Sequence, residues 1–373
     1  QEDIKWMVLG LLQLEGPDCL ANSPRLPLSG LRGFTEDIMN IDCIGILGAG
    51  AWGTALAQAI STAGHQTVLW AHEQEVVDAI NNNHENPVFL QGVSLNHAIR
   101  ATSVLAEAGE ADAVFLVVPA QFLRGVAARL ASVIASGVAV VVCAKGIEQE
   151  SSALMSEVIA ETLPGHPLGI LSGPTFASEV ATGLPIALTL ATTDKRTGAD
   201  LMEALGTPQI RPYLTNDVIG AEIGGAVKNV LAIACGITEG RQFGDSARAA
   251  IITRGLAEMT RLCVAKGGRA ETMMGLSGIG DLTLTCTSTQ SRNYSLGVEL
   301  GQGKTLADIM ASRRSVAEGV FSAEAVAALA RQVGIEMPIV EAVDSIVNKG
   351  ETVDTKIREL LARPFRAETP RKR

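Results

Sequence analysis

The chain has 373 residues, 47% of them apolar, and its 30 Lys and Arg against 40 Asp and Glu leave a formal charge of −10 at pH 7. That length favours two domains with well-buried cores, and the acidic balance argues against a nucleic-acid surface. Apolar runs such as 113–118 and 137–144 fall far short of the ~20 residues that a membrane span requires, so no span is expected.

Residues 1–38 hold a short apolar stretch, 7–12, followed by Pro and Gly without periodicity. They lack the basic start and cleavage site of a signal peptide, and are expected to form a poorly ordered extension, with Met39 as a natural start. From 39 to 213 short apolar runs alternate with helical stretches, the pattern of a Rossmann-type, doubly wound α/β domain. Strands are predicted at 41–47, 66–70, 113–118, 138–144, 168–172, 185–191 and 209–213. From 214 to 363 helical patterns dominate, giving a second, mainly α-helical domain for substrate and catalysis; 364–373 is a short Arg-rich tail.

Directly after the first strand come Gly48, Gly50 and Gly53 in G-x-G-x-x-G spacing, with a helix predicted over 54–63. The first glycine permits the tight turn, the second lets backbone approach a pyrophosphate, and the third packs helix on strand. The helix N-terminus then offers free N–H groups to phosphate. Ligands of such folds gather beyond the strand ends. Chemically loaded residues do follow the apolar runs: Val118-Pro119, Lys145-Gly146 and the segment from Ser172 to Phe176.

The segment 219–234 reads as a long helix with three interior glycines, Gly220, Gly224 and Gly225. Each costs about 1 kcal/mol against Ala, so something is expected to approach this helix closely. Lys228 shares a face with Gly224 and Gly225. It either snorkels to water or is held, partly desolvated, where it exchanges a proton near neutrality. Lys145, closing a strand, is either an ordinary surface lysine or a second site cation. Farther on, 278–293 gathers Asp281, several hydroxyls, Ser291, Arg292 and Asn293. Arg offers a planar fork to phosphate and hydroxyls fill the remaining acceptor sites; the plain alternative is a solvated polar loop. Asp281 either orients a lysine or caps a helix.

Six cysteines show no C-x-x-C and no ligand spacing to the five histidines, which fits a reducing cytoplasm and no metal. Cys286 has no His near it in sequence and reads as a buried thiol rather than a nucleophile.

Five motifs in order, at 48–55, 144–146, 171–177, 224–230 and from 280 through 290–293, make the chain resemble the bacterial-type NAD(P)-dependent glycerol-3-phosphate dehydrogenases over about 41–360. The resemblance implies reversible hydride transfer between NAD(P)H and dihydroxyacetone phosphate, giving sn-glycerol 3-phosphate for phospholipid synthesis. It makes Lys228 the general acid/base at the C2 oxygen, with Lys145 and Asp281 beside it. It puts Lys145, Gly173, Thr175, Lys228, Asp281, Ser291, Arg292 and Asn293 on the substrate. To the cofactor it assigns Gly48, Gly50, Ala51, Trp52, Gly53, His72, Lys145, Ala177, Arg292, Val316 and Glu318. Glu73, 20 residues after Gly53, suits the ribose hydroxyl of NAD, whereas His72 suits the NADP phosphate; NADP(H) is the expected preference, with NAD(H) accepted. A homodimer is implied at the level of the family only. The rival readings are a related two-domain dehydrogenase acting on another hydroxy acid, and a nicotinamide-binding sensor without turnover.

Overall fold

The computed structural model describes residues 41–311, 313 and 317–365. The expected extension 1–38, Val316 and the tail beyond 365 lie outside the described residues. The chain opens with β1 (Cys43–Leu47), α1 (Ala51–Thr62), β2 (Gln66–Trp70), α2 (Gln74–Asn83), β3 (Ile99–Thr102), α3 (Leu105–Gly109), β4 (Ala113–Leu116) and α4 (Leu123–Leu130). It continues through β5 (Ala139–Val142), α5 (Met155–Thr162), β6 (Leu168–Ser172), α6 (Ala177–Ala181), β7 (Ile186–Ala191), α7 (Lys195–Leu205) and β8 (Ile210–Thr215). Helices follow: α8 (Val218–Gly240), α9 (Gly244–Lys266), α10 (Asp281–Thr287), α11 (Arg292–Gly301), α12 (Leu306–Ala311), α13 (Glu318–Gln332), α14 (Pro338–Lys349) and α15 (Val353–Leu361).

The strands form one eight-stranded sheet in the order β3-β2-β1-β4-β5-β6-β7-β8. Every pairing is parallel except β6 with β7, which is antiparallel. Buried on both faces, the inner strands read as unbroken apolar runs: Phe115 joins the apolar cluster on one side of the sheet, and Val114 and Leu116 the cluster on the other. Strand order reverses between β1 and β4, which opens a crevice beyond their carboxyl ends. The seven predicted strands are all present, β4 and β5 shorter than expected. The eighth, β3, was not predicted. It is four residues long, lies at the sheet edge, and carries the exposed Arg100, so it leaves no apolar run to read.

Helix α8 is the axis of the helical part. Its residues from Gly220 to Thr238 are buried, and a third apolar cluster surrounds it. Among the described residues it alone is long and apolar enough to cross a membrane, and it is instead the core helix here. Asp217 caps it, accepting from the Gly220 N–H (3.0 Å) and, on its other oxygen, from the Arg269 N–H (2.9 Å) and the Thr272 hydroxyl (2.5 Å). Helix α11 crosses α8 backbone to backbone. A methyl group on Gly236 would fall 2.1 Å from the Tyr294 carbonyl oxygen, and one on Gly297 2.1 Å from that of Ile233. This contact fixes the N-terminus of α11, where Arg292 and Asn293 sit, against the middle of α8.

A second buried carboxylate serves a helix that is not its own. Glu258 of α9, 2% exposed, accepts from the N–H groups of Ile339 (3.0 Å) and Val340 (3.3 Å), two of the orphan donors that open α14. Burial pushes its carboxyl up to about 7, against the pull of those two bonds. Because the folded value lies above the unfolded one, this contribution to stability is full below the unfolded value and lost as pH rises through about 7. Glu258→Gln keeps the accepting oxygen and removes the charge. Its urea midpoint is therefore expected to fall less than that of the parent between pH 5 and pH 8; parallel curves would remove Glu258 as the source.

Candidate active site

The glycine-rich loop leaves β1 at the sheet crevice. Gly48 has φ +120°, and a methyl group there would meet the Val117 carbonyl oxygen at 2.7 Å; one on Gly53 would lie 1.8 Å from the Gly48 carbonyl oxygen. Only glycine serves the turn and the close packing at these two places. At Gly50 the opposite holds: nothing lies within 4 Å of where a side chain would begin. Helix α1 starts at Ala51, earlier than expected, with no side-chain cap and no acid in its first turn. An open cradle facing uncapped helix N–H groups fits a dinucleotide pyrophosphate. Ala51 and Trp52 open the helix, and Trp52 lies against Cys143, two residues before Lys145. His72, just past β2, is exposed, its ring 6.4 Å from that of Trp70.

Beyond β5 the chain turns Lys145 inward. Its ammonium donates to the Gly173 carbonyl (3.0 Å), past the end of β6, and to one Asp281 oxygen (2.8 Å). Lys228 of α8 donates to the other Asp281 oxygen (2.5 Å) and to the Thr285 hydroxyl (3.0 Å). Asp281 is completely buried, so a single carboxylate holds two ammonium groups, one on each oxygen. Lys228 is only 6% exposed and does not snorkel. Gly224 and Gly225 explain how it is enclosed: a methyl group on the first would fall 2.1 Å from the Ser277 carbonyl oxygen, and one on the second 3.3 Å from Lys145 Cγ. Burial drags the Lys228 ammonium down to about 8; Asp281 opposes this, and the neighbouring Lys145 adds to it.

The polar network extends from there. Asn229 donates to the Lys145 carbonyl (3.3 Å) and accepts from Asn293 (3.0 Å), whose own oxygen accepts from the Gly319 N–H (2.9 Å). Glu318, adjoining Gly319, is half-buried; burial raises its carboxyl, while Arg292, Lys145 and Lys228 pull it back. Thr175 donates weakly to the Gly173 carbonyl (3.4 Å). Ser291 is buried and caps α11, accepting from the Tyr294 N–H (3.2 Å), and Arg292 follows it, exposed. Ala177 opens α6 after the same Gly173 loop.

Lys145, Gly173, Thr175, Lys228, Asp281, Asn293 and Glu318 thus converge, whereas His72, Ala51 and Trp52 belong to the glycine-loop end. Thr285, one of the hydroxyls gathered at 278–293, received no role of its own from the sequence. Its hydroxyl accepts from Lys228 and donates to the Asp281 carbonyl (2.6 Å), and the signal that sets it apart from the other hydroxyls is its four-residue spacing from Asp281 on one helix face. Cys286 is wholly buried, and burial beside Cys235 holds its thiol well above the usual range, so it is no nucleophile.

A switch-point glycine loop joined to a desolvated lysine with a carboxylate partner defines a dinucleotide-dependent dehydrogenase class. The comparisons narrow it. Residues 43–198 match the family model of the NAD-dependent glycerol-3-phosphate dehydrogenase N-terminus, and residues 217–358 that of its C-terminus. A glycerol-3-phosphate dehydrogenase [NAD(P)+] of Parvibaculum lavamentivorans is 59% identical over 87% of this chain and 98% of that protein. One of Rhodospirillum rubrum is 56% identical over 88% and 94%. The crystal structure of glycerol-3-phosphate dehydrogenase from Coxiella burnetii superposes with a TM-score of 0.84 at 38% identity, covering 87% of this chain and 99% of that one. The chain belongs to the NAD-dependent glycerol-3-phosphate dehydrogenase family.

Proposed function

We propose that this protein reversibly reduces dihydroxyacetone phosphate to sn-glycerol 3-phosphate, for glycerophospholipid synthesis, with Lys228 as the proton donor. The Lys145–Asp281–Lys228 cluster carries the reading. The nicotinamide, when bound, supplies the hydride. As negative charge grows on the ketone C2 oxygen, the Lys228 ammonium stabilises it by hydrogen bonding and gives up its proton, completing the alcohol. Asp281 keeps that ammonium charged and aimed, and Thr285 takes one of its remaining N–H bonds. Lys145 stands between the carboxylate and the Gly173 loop, where it serves both ligands. Arg292, with Ser291, Asn293 and Thr175, receives the substrate and its phosphate, and Glu318 closes the cofactor side of the cleft.

A sensor would need the glycine loop but no proton donor, so the buried lysine favours turnover. His72, exposed after β2, favours NADP(H), with NAD(H) accepted. Division near residue 213 into a nucleotide domain and a helical domain, homodimeric assembly and a cytoplasmic setting belong to the same reading.

The test follows absorbance of NADPH, and separately NADH, as the protein meets dihydroxyacetone phosphate, with unphosphorylated dihydroxyacetone as control. Oxidation confined to the phosphorylated ketone is the expected result, and the ratio of the two rates gives the cofactor preference. Equal rates with both ketones would sink phosphate recognition, and no oxidation with either would return the field to the rival dehydrogenases.

A further inference from the structure

The glycine-rich loop is held from behind by a residue that the proposed chemistry leaves unused. Asn86 lies just past α2, where its backbone bridges to Leu90 in a tight turn. Its side chain is completely buried. The amide nitrogen donates to the Ala49 carbonyl (2.9 Å) and to the Thr54 hydroxyl (2.8 Å), and the amide oxygen accepts from the Phe89 N–H (3.0 Å). The Thr54 hydroxyl donates in turn to the same Ala49 carbonyl (3.1 Å). Both hydrogens of the amide are therefore spent, and one carbonyl of the glycine loop receives two buried donors. Burying a carboxamide is unfavourable unless its groups are matched in this way.

The matching has a directional effect. In a planar trans peptide the N–H points opposite to the carbonyl of the same unit, and the described residues contain no cis peptide bond. Two interior donors on the Ala49 oxygen turn the Ala49–Gly50 carbonyl toward the core. The Gly50 N–H is thereby turned away from it, at the one glycine of the motif whose side-chain space is empty. We propose that Asn86, acting with Thr54, is a positioning residue for the cofactor: it locks the Ala49–Gly50 peptide so that the Gly50 N–H is presented to a pyrophosphate oxygen. The proposal rests on the reading of the glycine loop as the pyrophosphate site.

Dissociation constants for NADPH, NADH and adenosine 2′-phosphate, which has no pyrophosphate, are measured by calorimetry on the parent, Asn86→Ala and Thr54→Val, together with melting temperatures of the free proteins. An N–H bond to a charged oxygen lost or misaimed weakens binding by about 10- to 100-fold. Asn86→Ala is expected to lose that much for the dinucleotide, with less than about twofold change for adenosine 2′-phosphate. Thr54→Val, which keeps the buried volume, is expected to weaken the dinucleotide in the same direction. If Asn86→Ala does not fold, Thr54→Val is judged by the same comparison. Unchanged dinucleotide binding, or equal weakening of dinucleotide and fragment, would overturn the proposal. Failure of the parent itself to bind either dinucleotide would instead overturn the reading of the glycine loop.

Discussion

Lys228→Ala is expected to lower kcat for ketone reduction by about 10²–10⁴-fold while leaving the fold intact. The loss follows from chemistry at one atom: without the ammonium, the developing alkoxide has no proton donor and no buried positive charge to stabilise it. Folding survives because Asp281 keeps Lys145 as its partner at 2.8 Å, so no carboxylate is stranded. The parent enzyme should show the matching pH dependence. Reduction requires charged Lys228, so its rate falls as pH rises through about 8; oxidation of the alcohol requires the neutral amine and rises through the same range. Stopped-flow single-turnover rates across pH 6–10 isolate this step from product release. A Lys228→Ala variant retaining normal turnover and the same pH profile would take Lys228 out of the mechanism.

Asp281→Asn should damage stability and chemistry together. The carboxylate is the shared counter-ion of two ammonium groups, and its amide replacement leaves both lysines without their hydrogen-bonded carboxylate. Removing one partner of a buried pair costs about 3–5 kcal/mol, which urea denaturation at pH 7 would register directly. The chemical effect is separable. The Asp281 charge props up the Lys228 value against burial and against Lys145, so in the variant the fall of reduction rate with rising pH moves toward acid. A stability loss with an unmoved profile would make Asp281 a structural anchor only. A depressed lysine moves stability with pH in the same direction as a depressed acid, here as a penalty that is relieved. Between about 8 and the ordinary lysine value of 10.5 the unfolded chain holds more protons, so the penalty of enclosing Lys228 is relieved as pH rises across that window.

The sheet was legible because strands covered on both faces leave unbroken apolar runs, and because the glycine spacing marks one strand end chemically. β3 left no such trace, being four residues long at an edge with Arg100 turned outward. The site was legible in parts and not as an assembly. Gly224 and Gly225 announced a close approach to α8, yet nothing local said that the Ser277 carbonyl and Lys145 were what approached. Lys145 and Asp281 stand 136 positions apart, a distance over which spacing carries no geometry; the family resemblance, not periodicity, joined them. Asn86 and Glu258 escaped for a simpler reason. A buried side chain that serves another segment's backbone has no motif of its own, and only the folded contact shows its partner.

The enclosure of α8 also shapes how the molecule must be made. On a ribosome, this apolar helix is made well before α14, the last of the helices α9 to α14 that help to cover it. At 5–20 residues per second that interval lasts about 5–20 s, during which a segment resembling a membrane anchor is exposed to chaperones, to the targeting machinery and to other nascent chains. Chains that stop just after Gly240 would carry this apolar helix without the helices that help to cover it, and are expected to aggregate more than the full chain.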